Sequence, residues 1–151
     1  MNKDEFYMQK AIELAKQAEA NKDVPVGALI VIADVIVSTG YNKRELDKNA
    51  TAHAEIVAID NACKKLGGWR LSNATLYVTL EPCPMCAGAI INSRIKRVVY
   101  GVKDIKAGAF GSVLNMNSYP LNHKVDLTYP VCECECTALM SDFFAKLRKC
   151  N

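Results

Sequence analysis

The sequence predicts an α/β protein, a three-layer α/β/α sandwich around a mixed central sheet of about five strands. Three observations carry this. An amphipathic helix comes first. Two apolar runs joined by a short turn follow it, the pattern of an antiparallel hairpin. Helices and strands then alternate, which makes parallel pairs. The chain has 151 residues, of which 50% are apolar, so residues 1–151 are expected to form a single domain around one core.

Tyr7, Ala11, Leu14, Ala15 and Ala18 recur at helical spacing, and Asn21-Lys22-Asp23 stops that helix. Val24 to Ala33 is apolar almost throughout and reads as a buried strand. Asp34 turns the chain into a second strand, Val35 to Thr39. Tyr41 to Thr51 is polar and reads as a loop. Thr51 is placed to cap a helix from Ala52 to Leu66, with Ile56, Ile59 or Val57, and Cys63 along its apolar side. Gly67-Gly68 ends it. Ala74 to Thr79 alternates as a strand. Pro84 to Asn92 reads as a short helix, with proline acceptable in its first turn, and Arg97 to Gly101 as the next strand. Strand, helix and strand in that order predict a parallel, right-handed unit.

Val102 to Pro120, rich in Gly, Asn and Ser, is the longest irregular segment; such loops inside a compact domain are commonly functional. Lys124 to Thr128 reads as a short strand. Cys132 to Lys149 reads as a final helix with Leu139, Phe143, Phe144 and Leu147 on its apolar side.

The net charge of +3 is too small to argue a nucleic-acid partner by itself. The polar start Met1-Asn2-Lys3-Asp4-Glu5 has no signal-peptide character, and the longest apolar run, Val24 to Ala33, is too short to cross a bilayer. The expectation is a soluble, cytoplasmic protein with reduced thiols and no membrane partner. In that setting, closely spaced cysteines bind metal or act in catalysis more often than they form disulfides.

His53-Ala54-Glu55 and Pro82-Cys83-Pro84-Met85-Cys86 carry the chemistry. His53, Cys83 and Cys86 are three ligands of the kind zinc takes. A structural zinc normally takes four protein ligands, whereas a catalytic one takes three and leaves a position for water. Both halves of the motif fall at expected helix starts, whose positive end favours the thiolates that zinc needs. Zinc lowers the pKa of its water to roughly 7. Glu55 lies outside the ligand set and is spaced to reach that water and the substrate. One carboxylate serving as base and then as acid fits hydrolytic deamination.

The H-x-E…P-C-x-x-C signature is the known mark of zinc nucleobase deaminases, and the chain resembles the cytidine-deaminase-like superfamily of that class. Within it, the sequence is similar to the family of bacterial tRNA-specific adenosine deaminases from about Val24 to Arg148. The resemblance rests on Val24-Pro25-Val26-Gly27-Ala28, Asn42, Thr51 to Glu55, Ala74 to Cys83, Lys103 to Ser112, Asn122 to Val125, and Ser141-Asp142-Phe143-Phe144. The Cys-x-x-Cys spacing differs from that of riboflavin-pathway deaminases, and free cytidine deaminases carry cysteine where this chain has His53.

The resemblance implies a homodimer with one zinc per subunit that converts adenosine to inosine at the wobble position of a tRNA anticodon, with an arginine tRNA as the expected substrate. It implies that Asn42 and the Ala54 backbone hydrogen-bond the adenine and its ribose. Val26 would pack on the base, and Asp104 and Lys106 would contact neighbouring nucleotides. Asn42 also fits a turn, where asparagine is favoured, and Asp104 and Lys106 also fit solvated loop charges. Glu81 reads as structural and His123 as a packing or surface residue.

Two alternatives share parts of the motif. A free guanine or cytosine deaminase would use the same His53, Glu55, Cys83 and Cys86. A non-catalytic module would instead join Cys83 and Cys86 to two of Cys132, Cys134 and Cys136 in a closed structural zinc site, leaving His53 and Glu55 unexplained. Cys132 and Cys134 depart from the family pattern.

Overall fold

The computed structural model describes residues 1–149, so Cys150 lies outside the described residues. The elements are α1 (Lys3–Ala20), β1 (Gly27–Ile32), β2 (Val35–Tyr41), α2 (Arg44–Asp47), α3 (Ala54–Leu66), β3 (Thr75–Leu80), α4 (Pro84–Asn92), β4 (Arg97–Val102), a 3-10 turn (Met116–Ser118), β5 (Asp126–Thr128) and α5 (Glu133–Lys149). The five strands lie in the order β2-β1-β3-β4-β5. β1 runs antiparallel to both β2 and β3, while β3, β4 and β5 are mutually parallel, so the sheet is mixed as expected.

Side-chain alternation divides the core into two layers. Ala28, Ile30, Leu76, Val78, Val98 and Tyr100 face α3 and α4, where they meet Ala58, Ala62 and Ile90. Leu29, Val31, Tyr77 and Val99 face the other way and meet Tyr7, Met8, Ala11 and Ile12 of α1 and Leu139 of α5. The central strands are covered on both faces and hence read as unbroken apolar runs. No helix among the described residues is long and apolar enough to cross a membrane.

Several boundaries differ from expectation, each for a local reason. β1 begins at Gly27; Val24 to Val26 is a separate segment in which the Val26 N–H closes on the Val24 carbonyl at 2.8 Å. The expected loop from Tyr41 to Thr51 holds a last strand residue and α2. The Asp23 carboxylate, from the end of the first helix, caps α2 by accepting from the Glu45 N–H at 3.0 Å. α3 starts at Ala54 with His53 as its cap residue, and Thr51 bonds Asn49 instead. Its buried face is Ala54, Glu55, Ala58, Ile59 and Ala62, so of the expected apolar side only Ile59 is fully buried. Small residues are required there because β2 approaches α3 closely. A Cβ on Gly40 would fall 2.5 Å from the Ala54 carbonyl oxygen.

β5 is shorter than expected because Lys124 turns away to bond the carbonyls of Asn117 and Tyr119. α5 buries Cys136 and Leu139, while Phe144 and Leu147 are exposed, since only the first half of the helix lies over the sheet and α1.

Candidate active site

The two expected halves of the motif meet where α3 and α4 begin. Cys83 occupies the cap position of α4, in extended backbone, with Pro84 as the first helical residue. The proline presets the helical φ and lacks the N–H that would be unpaired there. Cys86, three residues on, returns to the same side of the first turn. His53, the cap residue of α3, brings its Nδ1 to 3.7 Å from Cys83 Sγ and 3.6 Å from Cys86 Sγ. The three ligand atoms lie within 4.8 Å of one another, and they form the one His/Cys/Asp/Glu cluster able to hold a metal ion among the described residues.

The electrostatics fit that role. Hydrogen bonding from the Cys86 thiol holds Cys83 down to about 4, and the same bond together with burial pushes Cys86 far up. Two sulfurs this close in a buried place can both be anionic only with a cation between them. One imidazole and two thiolates are a donor set that zinc takes. Glu55 is one residue into α3, 4% exposed and outside the ligand cluster. Burial pushes its carboxyl up to about 7, so near neutral pH it can both take and give a proton.

These groups line the floor of a cavity of about 510 Å³. Val26, Asn42, Asp104 and Lys106 line it too, so four of the five expected substrate residues converge there with His53, Glu55 and Cys83, while Ala54 is buried and not part of the lining. Cys86 is buried behind them. Asn42 is 5% exposed and fixed in orientation: its Oδ1 accepts from the Ala54 N–H at 2.8 Å and its Nδ2 donates to the Val24 carbonyl at 3.0 Å. The N–H of Ala54, whose backbone was expected to meet the substrate, is thus bonded to Asn42. Asp104 shapes its own loop, accepting from the N–H groups of Lys106 and Ala107 at 3.0 and 3.2 Å. The Lys106 side chain is exposed at the rim.

The structure adds residues that sequence reasoning missed. Arg44 lines the cavity and pairs at 3.3 Å with the buried Asp23. Nothing in the local pattern marks it, because its partner sits before β1. Thr137, Met140, Ser141 and Phe144 of α5 close another wall. A helix face turned toward a site rather than toward the core explains why Phe144 stays exposed. The three cysteines of α5 are not at this site. Cys132 Sγ accepts from the Gln9 amide at 3.5 Å, Cys134 is exposed, and Cys136 is buried under β4. The closed structural zinc site therefore does not form among the described residues. His123, expected to be a packing or surface residue, bonds the Ile95 carbonyl at 2.7 Å.

A mixed five-stranded sheet, with a ligand triad at two helix starts and a buried carboxylate beside it, is the cytidine-deaminase-like arrangement. The sequence profile of the MafB19-like deaminases matches residues 1–148. The chain is 49% identical to a tRNA-specific adenosine deaminase of Bacillus subtilis, over 99% of this chain and 93% of that one. A solved structure from work on A-to-I editing by tRNA:A34 deaminases at the wobble position of transfer RNA superposes with a TM-score of 0.87. It is 39% identical, over 89% of this chain and 98% of that one. A guanine deaminase of Bacillus subtilis superposes less well, with a TM-score of 0.65 at 33% identity, over 81% of this chain and 88% of that one. The chain belongs to the tRNA-specific adenosine deaminase family of these deaminases.

Proposed function

We propose that the protein is a zinc-dependent hydrolase that converts adenosine to inosine at position 34, the wobble position, of a tRNA anticodon. The observation that carries this reading is the cavity itself. Its floor is the His53, Cys83 and Glu55 cluster and its rim is the Lys103–Ala107 segment, in a chain of the tRNA-specific adenosine deaminase family. A rim of this kind suits a base extruded from a single-stranded loop, where unstacking costs least.

His53 Nδ1, Cys83 Sγ and Cys86 Sγ would hold one zinc per subunit, which supplies the Lewis acidity that yields hydroxide at neutral pH. Glu55 takes one proton of the attacking water and passes it to a ring nitrogen of adenine; it then takes the second from the hydroxyl left on the attacked carbon and delivers it to the departing amine. One water is consumed and one ammonia released, and oxygen replaces the amine on the purine. Asn42, clamped by Ala54 and Val24, has one amide hydrogen left to donate to the base. Val26 packs on the base, with Leu80, Val102 and Met140 keeping the wall apolar. Asp104 and Lys106 meet the flanking nucleotides, and Arg44 adds a cation at the rim.

The protein acts in this reading as a cytoplasmic homodimer. The surface this reading gives to a second copy is a further cavity of about 350 Å³ beside α4, where Met116, Pro120 and Leu121 lie among Asn92, Arg94 and Asn122. The test is one assay of the purified protein on an arginine tRNA anticodon stem-loop, guanine and cytosine side by side, with zinc measured on the same sample. Inosine in the RNA is the expected product. Rapid turnover of guanine with the RNA untouched overturns the substrate.

A further inference from the structure

Glu81 directly follows β3 on the way to Cys83, and it is 2% exposed. No ion pair is recorded for it among the described residues. Its carboxylate is met instead by one loop. Oε1 accepts from the Asp104 N–H at 3.1 Å and from the Ser112 hydroxyl; Oε2 accepts from the N–H groups of Phe110 at 3.0 Å and Ser112 at 3.2 Å. Backbone bonds flank this grip: the Glu81 N–H donates to the Val102 carbonyl and the Ala109 N–H to the Pro82 carbonyl, each at 2.9 Å. The loop is drawn so close that a Cβ on Gly108 would fall 2.4 Å from the Glu81 carboxyl carbon.

We infer that Glu81 is the positioning residue that fixes the substrate-facing loop from Asp104 to Ser112 against the metal-ligand segment. The inference rests on the functional reading above and names how that site holds its RNA. The loop has no helix or strand; turns within it, such as the Gly108 N–H to Asp104 carbonyl bond at 2.8 Å, shape its first half, and Glu81 ties its two ends together. One carboxylate bonds both its first residue, Asp104, and its last, Ser112. Asp104 in turn orders Lys106 and Ala107 through its own side chain. The register of the rim is therefore set from the segment that also carries Cys83, so the rim and the reacting centre share one reference point. A charged acceptor is needed because four donors converge on two oxygens. An amide in its place would point its N–H groups at backbone N–H groups.

Glu81→Gln tests this without a change of shape. The amide can keep Phe110 and Ser112 only by turning its NH2 toward Asp104, which frees the start of the loop. KM for the anticodon stem-loop should rise about tenfold or more while kcat stays within about threefold, since contacts to flanking nucleotides are made equally in the ground and transition states. Zinc content should match the unaltered protein. Backbone amide exchange, read by mass spectrometry, should quicken within 104–112 and stay unchanged across α4. Glu81→Asp, which keeps the charge but reaches less far, and Ser112→Ala, which removes one of the bonds, should move the same quantities by less. Unchanged exchange in the loop, lost zinc, or a fall in kcat at constant KM overturns the assignment. If the unaltered protein does not deaminate the RNA, the functional reading fails on its own, and the exchange measurement still decides whether Glu81 holds the loop.

Discussion

Two helices of this molecule begin with a cluster of cysteines, and only one cluster makes a site. At α4, Cys83 and Cys86 stand three residues apart, which puts both sulfurs on one side of the first turn, and a second helix start delivers His53 Nδ1 to within 3.7 Å of each. At α5, Cys134 stands two residues from both Cys132 and Cys136 and so turns to another side, and no histidine joins the remaining pair. Cys132 bonds Gln9, Cys134 faces solvent, and Cys136 is 1% exposed in the α1/α5 layer. The other histidine of the chain, His123, is bound to Ile95 and not to any of these sulfurs. Cysteine count does not make a metal site. Convergence from two elements does, and among the described residues it happens on one side of the sheet.

The sharpest way to break this contrast is to remove one sulfur from each cluster. Cys86→Ala is expected to weaken metal binding by more than about 100-fold, beyond the cost of losing a supporting contact, and to abolish turnover. Cys136→Ala should keep full metal content. Metal analysis of the two purified variants checks both, and metal lost equally from the two would erase the distinction.

Glu55→Ala comes next in size. The carboxylate lies beside the cluster but outside it, so the variant should retain its metal while kcat falls by about 100- to 10,000-fold, the usual worth of a positioned proton carrier. Inosine formation and metal content measured together decide it. Retained turnover would remove Glu55 from the proton transfers.

What could be read from residues alone follows the same division. The layered arrangement was legible because helices and largely apolar strands follow one another along the chain, and the ligand triad because helix starts and three-residue spacing are local facts. Glu55 was legible for the same reason. Arg44 was not, since what holds it is Asp23, placed beside it by the hairpin and not by nearby sequence. The cap of α3 was read two residues early because Thr51 is a good cap by type, yet the Asn49 side chain engages it first. The far end of α5 was read as core because Phe144 and Leu147 keep helical spacing, but the sheet ends beneath them. Phe144 turns its apolar surface to the cavity instead.

On the structural side of the sheet, tight packing is what Cys136 supplies. A Cβ on Gly101 of β4 would lie 2.3 Å from Cys136 Sγ and 2.9 Å from the Thr79 carbonyl oxygen. Gly101→Ala should therefore cost about 1 to 3 kcal/mol by overpacking, with metal content unchanged. Adding Cys136→Ala should recover part of that loss, because the sulfur is the nearest obstacle. Urea unfolding of the single and double variants measures it; no recovery would mean that the Thr79 carbonyl and the Cβ of residue 136, each 2.9 Å away, and not the thiol, set the spacing.

The smallest effect lies on the same side and is a matter of pH. The Arg97 guanidinium, at 3.1 and 2.5 Å, and the Tyr77 hydroxyl, at 2.7 Å, hold the Asp4 carboxyl below its ordinary value of 3.8. A carboxyl whose folded pKa is depressed stabilises the fold above its unfolded pKa and ceases to do so as pH falls through the folded value. Asp4→Asn should thus cost about 1 kcal/mol at neutral pH, after allowance for partial solvent screening. The gap between the variant and the unaltered protein should close as the solution is acidified below the ordinary carboxylate range. Thermal unfolding followed against pH reads this gap. Because Asp4 ties α1 to β3 and β4 at the end of the sheet away from Cys83, metal affinity at neutral pH should not move with it. A parallel loss of metal would show that the two sides of the sheet are coupled after all, and would reduce the separation between the cysteine clusters to one of degree.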